Sequence, residues 1–192
     1  TIIVERHPET HDLLVSGLGD VHLDVVFKRL KEKFKVEVTT TTPRVAYHET
    51  IRGTADVRYR HKKQSGGAGQ FAEVAIRLRP NERDKGYEFV DKIVGGVISN
   101  SFIPSVDKGI RARMANGVMA GCPVVDVIVE LYDGKEHPVD SKDIAFQIAG
   151  RQAFAQAMEK ATPILLEPIM DVEVVCPQEY MGDINGIING KR

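Results

Sequence analysis

The sequence predicts an α+β chain in which a short partial βαβ unit precedes an α/β domain built from a four-stranded sheet and two helices. Three observations lead there. Segments of alternating or β-branched residues cluster in the first half of the chain. Two later segments repeat apolar residues at helical spacing. The run Thr39 to Thr42 followed by Pro43 breaks the chain between the two units.

Residues 1–42 read as strand, strand, helix, strand. Ile2, Val4 and Arg6 alternate, and Leu13-Leu14-Val15 is a short apolar run before Gly17. Asp20 suits a helix N-cap, because its carboxylate accepts from an otherwise orphaned backbone N–H. Leu23, Val26, Phe27 and Leu30 then recur with helical period, and Lys28, Arg29, Lys31 and Lys33 gather near the helix end, where the dipole favours cations. Val36 and Val38 alternate with charged residues as a strand does. The unit begins in mid-sheet, and its lack of an initial Met reads as a cut inside a longer chain.

Residues 43–162 form the second predicted unit. Strands are expected at 45–51, 54–61, 71–78 and 87–90. Between the second and third lies Lys62-Lys63-Gln64-Ser65-Gly66-Gly67-Ala68-Gly69-Gln70, a hairpin loop longer than a two-residue turn. Pro104 opens a helix with Val106, Ile110, Met114 and Val118 on one face, as Pro does at a first helical position. A β-branched strand runs from Val124 to Tyr132, and Asp133-Gly134 reads as the turn that ends it. Asp140 or Ser141 caps a second helix, with Asp143 in its first turn and Ile144, Ile148, Phe154 and Met158 as its apolar face. Alanines along that helix allow close packing.

Residues 163–192 begin a third unit. Residues 164–166 and 169–175 are strand-like, 179–188 helical, and the end at Arg192 reads as a break before such a unit could bury a core.

Lys plus Arg number 26 and Asp plus Glu 27, a net charge of -1, so a globally basic nucleic-acid binder is excluded and any such contact must be a local patch. No segment approaches the roughly 20 apolar residues that a spanning helix needs. Cys122 and Cys176 are too few and too far apart for a disulfide framework or a zinc site, and read as buried thiols in a reducing cytoplasm.

Catalytic patterns are absent from the sequence. A phosphate-cradling P-loop requires G-x-x-x-x-G-K-[ST], and neither Gly134-Lys135-Glu136 nor Gly190-Lys191-Arg192 satisfies it. The 65–70 glycine loop leads into a strand, so it lacks the helix N-terminus that would hold an anion. The six histidines, His7, His11, His22, His48, His61 and His137, form no metalloprotease pair, and His7 and His11 flank Pro8 in a turn. There is no G-x-S-x-G elbow. The segment is therefore expected to hold no catalytic group, no metal and no cofactor.

Nucleic-acid contact has a better basis. Arg58, Arg60, His61, Lys62 and Lys63 lead into the glycine loop, with Gln64, Ser65 and Gln70 as neutral hydrogen-bonding groups and Tyr59 and Phe71 beside it. Cations at a hairpin tip suit phosphate oxygens, and glycines let backbone approach RNA closely. A solvated basic hairpin without a partner has the same composition. A second loop, Lys135-Glu136-His137-Pro138, adds Lys135 and His137 if both loops point the same way; an ordinary turn histidine is the alternative.

Several strings resemble elongation factor G. Gly17-Leu18-Gly19-Asp20-Val21-His22-Leu23 with Phe34-Lys35-Val36-Glu37-Val38 is similar to the latter part of its domain III. Pro43-Arg44-Val45-Ala46-Tyr47-His48-Glu49-Thr50-Ile51 resembles the entry to domain IV. His61-Lys62-Lys63-Gln64-Ser65-Gly66-Gly67 with Gly69-Gln70-Phe71 resembles the first tip loop of that domain. Leu131-Tyr132-Asp133-Gly134 through His137, Val139, Asp140 and Ser141 resembles the second. Leu166-Glu167-Pro168-Ile169-Met170 with Glu179-Tyr180-Met181-Gly182-Asp183 is similar to the opening of domain V.

The resemblance implies a partial ferredoxin-like domain III at 1–42, a domain IV at 43–162 with a left-handed βαβ crossover, and an incomplete domain V from 163. It implies a cytoplasmic, monomeric, ribosome-stimulated GTPase that uses GTP and magnesium outside this segment and promotes tRNA–mRNA translocation. Ribosome recycling and tetracycline-type ribosome protection belong to the same superfamily. The implied partners are ribosomal RNA, A- and P-site tRNA and mRNA, and no membrane. The implied contact residues are Lys62, Lys63, Gln64, Ser65, Gly66, Gly67, Gly69, Gln70, Lys135 and His137. Phe71-Ala72-Glu73 departs from the usual aromatic, Gly, basic pattern and is expected to place a negative charge near the tip, while Pro138 stiffens the second loop.

Overall fold

A computed structural model describes residues 2–64 and 69–191. Strands β1 (Ile3–Arg6) and β2 (Leu13–Ser16) pair antiparallel, and helix α1 (Asp20–Phe34) follows. The expected strand at Val36 and Val38 is absent: residues 35–47 carry no regular structure, and both valines are exposed. An alternating pattern makes a strand only where a ladder partner exists, and none of the described strands pairs there.

The second unit carries the core. Strands β3 (His48–Ile51), β4 (Ala55–Lys63), β5 (Gln70–Pro80) and β6 (Tyr87–Asp91) are followed by helix α2 (Ile103–Met114), strand β7 (Val127–Lys135) and helix α3 (Asp143–Lys160). The main sheet has the order β4-β5-β7-β6. β4, β5 and β7 run antiparallel in turn, while β6 runs parallel to β7, with α2 in the crossover between them. A parallel neighbour needs a crossover connection, and here the helix supplies it.

Both helices pack on one face of this sheet. Val74, Ile76 and Leu78 from β5 and Val127, Val129 and Leu131 from β7 meet Val106 and Ile110 of α2 and Phe146, Phe154 and Met158 of α3 in one buried cluster. The buried face of α3 is set by Ala145, Ala149, Ala153 and Ala157 with these aromatics, and Ile144 of the expected face is exposed instead. The helices touch backbone to backbone: a Cβ on Gly150 would lie 2.6 Å from the Val106 carbonyl oxygen, and one on Gly109 would collide with the Gln147 carbonyl.

Four sequence expectations shift. Val118 lies beyond α2, which ends at Met114. Asp133-Gly134 is no turn but part of β7, opposite Ala75 and Val74. A side chain at Gly134 would collide with the Glu73 carbonyl and Ile98, so glycine here serves close approach within the sheet. Strand β8 (Pro163–Leu166) pairs antiparallel with β3, so this strand joins the base of the second unit. Residues 169–175 form no strand. A 3-10 turn (Gln178–Tyr180) then leads into helix α4 (Met181–Gly190).

Glu49 locks the base. Its side chain is wholly buried, yet it accepts from the backbone N–H groups of Val118, Met119, Ala120 and Cys122 at 2.7–3.2 Å. Burial opposes ionisation, but the four donors outweigh it and hold the carboxyl below its ordinary range. Cys122 and Cys176 are both free and only half-buried, not buried as expected. Cys122 sits in the loop that wraps this carboxylate, which fixes its backbone rather than its thiol. Among the described residues no helix is long and apolar enough to cross a membrane.

Candidate nucleic-acid interface

Strands β4 and β5 pair from Ala55↔Leu78 out to Lys63↔Gln70, so the glycine connection crowns a long hairpin. Ser65, Gly66, Gly67 and Ala68 lie outside the described residues. Lys62, Lys63 and Gln64 are exposed at the end of β4, and Gln70 Oε1 accepts from His61 Nε2 at 3.0 Å. Strand β7 ends beside this hairpin, with Lys135 opposite Glu73.

The connection from β7 to α3 then folds back over the hairpin. The Phe71 N–H donates to the Asp140 carbonyl at 2.9 Å, and the Ser141 hydroxyl donates to the Phe71 carbonyl at 2.8 Å. The same hydroxyl accepts from the His137 N–H at 2.8 Å. A Cβ on Gly69 would lie 2.7 Å from the Asp140 carboxylate, so glycine is what lets the loops close together. Asp140 and Ser141 are therefore not helix caps. Helix α3 starts at Asp143 with Lys142 before it and no side-chain cap. Lys62, Gln64, Gln70, Phe71, His137 and Asp140 enclose a cavity of about 160 Å³ between the two connections.

His137 is half-exposed above this cavity, with its ring 6.2 Å from that of Phe71. Its Nδ1 accepts from the N–H groups of Val139 and Asp140 at 3.3 and 3.2 Å. In the neutral ring those contacts assign the proton to Nε2, which becomes the outward donor. A protonated ring would instead meet the Asp140 carboxylate, 3.5 Å from Nδ1.

The basic run ahead of the loop divides. Arg58 donates to Glu73 at 2.8 Å and also to Asp133, and Arg60 Nε donates to Glu73. Glu73 is buried, and the Arg58 guanidinium holds its carboxyl below the usual range, with Arg60 adding to the effect. The expected negative charge near the tip is thus neutralised within the sheet. Glu136 accepts from the N–H and hydroxyl of Ser99 at 2.8 and 2.9 Å. Lys62, Lys63 and Lys135 form no ion pair among the described residues. The sequence placed Phe71, Asp140 and Ser141 in or beside the two loops but not among the expected contact residues, and gave no sign that they bond the loops together. The Asp-Ser pair was visible, but its N-cap character pointed to the helix.

A model of "Elongation factor G, domain IV" matches residues 43–162. The chain belongs to the elongation factor G family. A model of "Elongation Factor G, domain III" matches residues 1–42. The sequence is 57% identical over 192 residues to an elongation factor G-like protein of Thermotoga maritima, covering the whole chain and 28% of that relative. A crystal structure from Thermus thermophilus superposes with a TM-score of 0.89 at 40% identity, over the whole chain and 28% of its own. The chain therefore spans just over a quarter of the relatives it matches. The mixed sheet with its parallel β6–α2–β7 unit is the fold of an elongation factor G domain IV.

Proposed function

We propose that this chain is the ribosome-engaging part of a translational GTPase, and that residues 43–162 act as an arm whose tip enters the decoding region during tRNA–mRNA translocation. One observation carries the reading. The first residues of β5, directly after the glycine-rich connection, are hydrogen-bonded to the His137 connection at one end of the domain, where Lys62, Lys63 and Lys135 have no carboxylate partner among the described residues.

The arm's chemistry is steric and electrostatic, with no covalent step. Lysines at the tip meet phosphate oxygens, and His137 Nε2–H, Gln64 and Gln70 hydrogen-bond to sugar and base edges. Ser65, Gly66, Gly67 and Gly69 belong to the same RNA-facing loop. GTP and magnesium would bind in parts of the protein beyond this segment. Domain III at 1–42 and domain V from 163 would carry the arm.

His137→Ala in the full-length protein tests the reading. Single-round translocation should slow by about ten-fold or more, which is about 1.4 kcal/mol of barrier, while ribosome-stimulated GTP hydrolysis changes little. Equal loss of both rates would count against an arm that acts after nucleotide hydrolysis is triggered.

A further inference from the structure

The helix-free face of the main sheet carries an unusual arrangement of cations. Arg58, Arg60 and Lys62 stand at alternate positions of β4, so all three share one face, about 6.6 Å apart along the strand. β4 is an edge strand of the sheet, and its far end is the tip hairpin. Glu73 lies beneath this row with its side chain only 5% exposed, whereas those of Arg58 and Arg60 are 50% and 62% exposed.

A buried carboxylate under exposed guanidiniums is a seat. It fixes the arginine rotamers before any ligand arrives, so less side-chain entropy is lost on binding. Arg58 is held from two sides, by Glu73 and Asp133. Arg60 uses only Nε on Glu73, and its two terminal nitrogens take no protein partner among the described residues. Lys62 forms no ion pair there. The row thus grows less neutralised toward the tip: Arg58 is doubly paired, Arg60 singly, Lys62 not at all.

We propose that Arg60 and Lys62, aligned by Glu73, form a phosphodiester-binding track that continues the tip contact down the β4 edge, so that one RNA strand lies along the arm rather than meeting its end alone. The inference rests on the reading of this domain as a ribosome-engaging arm. The spacing of alternate strand residues is comparable to the step between successive phosphates, and a planar guanidinium with two free nitrogens binds a phosphate bidentately. The other service of such a row is purely structural, since charge on an edge strand blocks unwanted sheet pairing. Only the track contributes released counterions on RNA binding.

The test is the salt dependence of ribosome binding by the full-length protein, measured for Arg60→Gln, Arg60→Lys and Lys63→Gln, with thermal midpoints recorded alongside. Arg60→Gln should flatten the slope of log affinity against log salt by about 0.7–0.9, the value of one lost phosphate contact. Arg60→Lys, which keeps the charge, should restore it. Lys63→Gln, at the tip and off the track face, should flatten the slope independently. A flattened slope for Lys63→Gln with an unchanged slope for Arg60→Gln overturns the track and leaves the tip reading standing. Unchanged slopes for both overturn both. Equal loss with Arg60→Gln and Arg60→Lys, or a loss that follows a lowered thermal midpoint, assigns Arg60 to packing and overturns the track.

Discussion

The N–H of Phe71, at the start of β5, donates to the carbonyl of Asp140, sixty-nine residues later, at 2.9 Å. That one bond ties the start of β5 to a connection remote in sequence, and the neighbouring Ser141 hydroxyl doubles the link. The tip is therefore a built structure, with its cavity lined from both segments. Its geometry depends on the Ser141 side chain as well as on backbone.

Ser141→Ala should loosen the tip without unfolding the domain. The hydroxyl serves two backbone groups, the His137 N–H and the Phe71 carbonyl. Losing both bonds at a partly hydrated site costs about 1–2 kcal/mol. Chemical denaturation should show a loss of that size, and hydrogen exchange should show the Phe71 and His137 amides exchanging faster while core amides of β7 stay protected. Unchanged exchange at both amides would contradict the staple.

Glu49 makes stability depend on acid. Its folded-state carboxyl is held below the ordinary value of 4.5 by four backbone N–H donors acting against burial. A depressed carboxyl contributes stability that is present above its unfolded value and lost as pH falls through the folded value. The wild-type thermal midpoint should therefore fall on acidification below about pH 4.5. Glu49→Gln should start lower at neutral pH, because the amide accepts through one oxygen only, and should fall less steeply with acid. A parallel pH profile for the two proteins would contradict this assignment.

Much of the second unit was legible in the sequence because the governing signals are local. Alternation fixed β4 and β5 to within a residue or two, Pro104 fixed the start of α2, and clustered glycines marked the hairpin connection. What escaped depends on partners distant in sequence. Nothing local singles out Glu49, since its donors lie about seventy residues away. β8 reads as the opening of a new unit, and only its ladder with β3 attaches it to the base. Asp133-Gly134 has the composition of a turn, but the close approach of Glu73 and Ile98 puts that glycine inside a strand. Glu73 looks like a negative charge at the tip until Arg58 and Arg60 are seen above it. The strand expected at Val36 and Val38 shows the reverse error, a correct local pattern with no ladder to join.

Gly109→Ala should be disproportionately costly for so small a change. The added methyl would run into the Gln147 backbone carbonyl, which cannot rotate away as a side chain would. Separating α2 from α3 disturbs the shared core, and overpacking of this kind costs about 1–3 kcal/mol. Ala112→Gly, on the exposed side of the same helix, provides a control whose cost of about 1 kcal/mol comes from helix propensity alone. A Gly109→Ala protein as stable as wild type would show that the helices are not in backbone contact.

The most direct measurement is site-directed photocrosslinking of the full-length protein on the ribosome, with a benzophenone side chain placed at position 64 in one preparation and at position 139 in another. Both positions, one on each connection, should crosslink to RNA of the decoding region, and the two sets of crosslinks should overlap. Crosslinks from the two positions to separate parts of the ribosome, or to protein alone, would contradict that expectation.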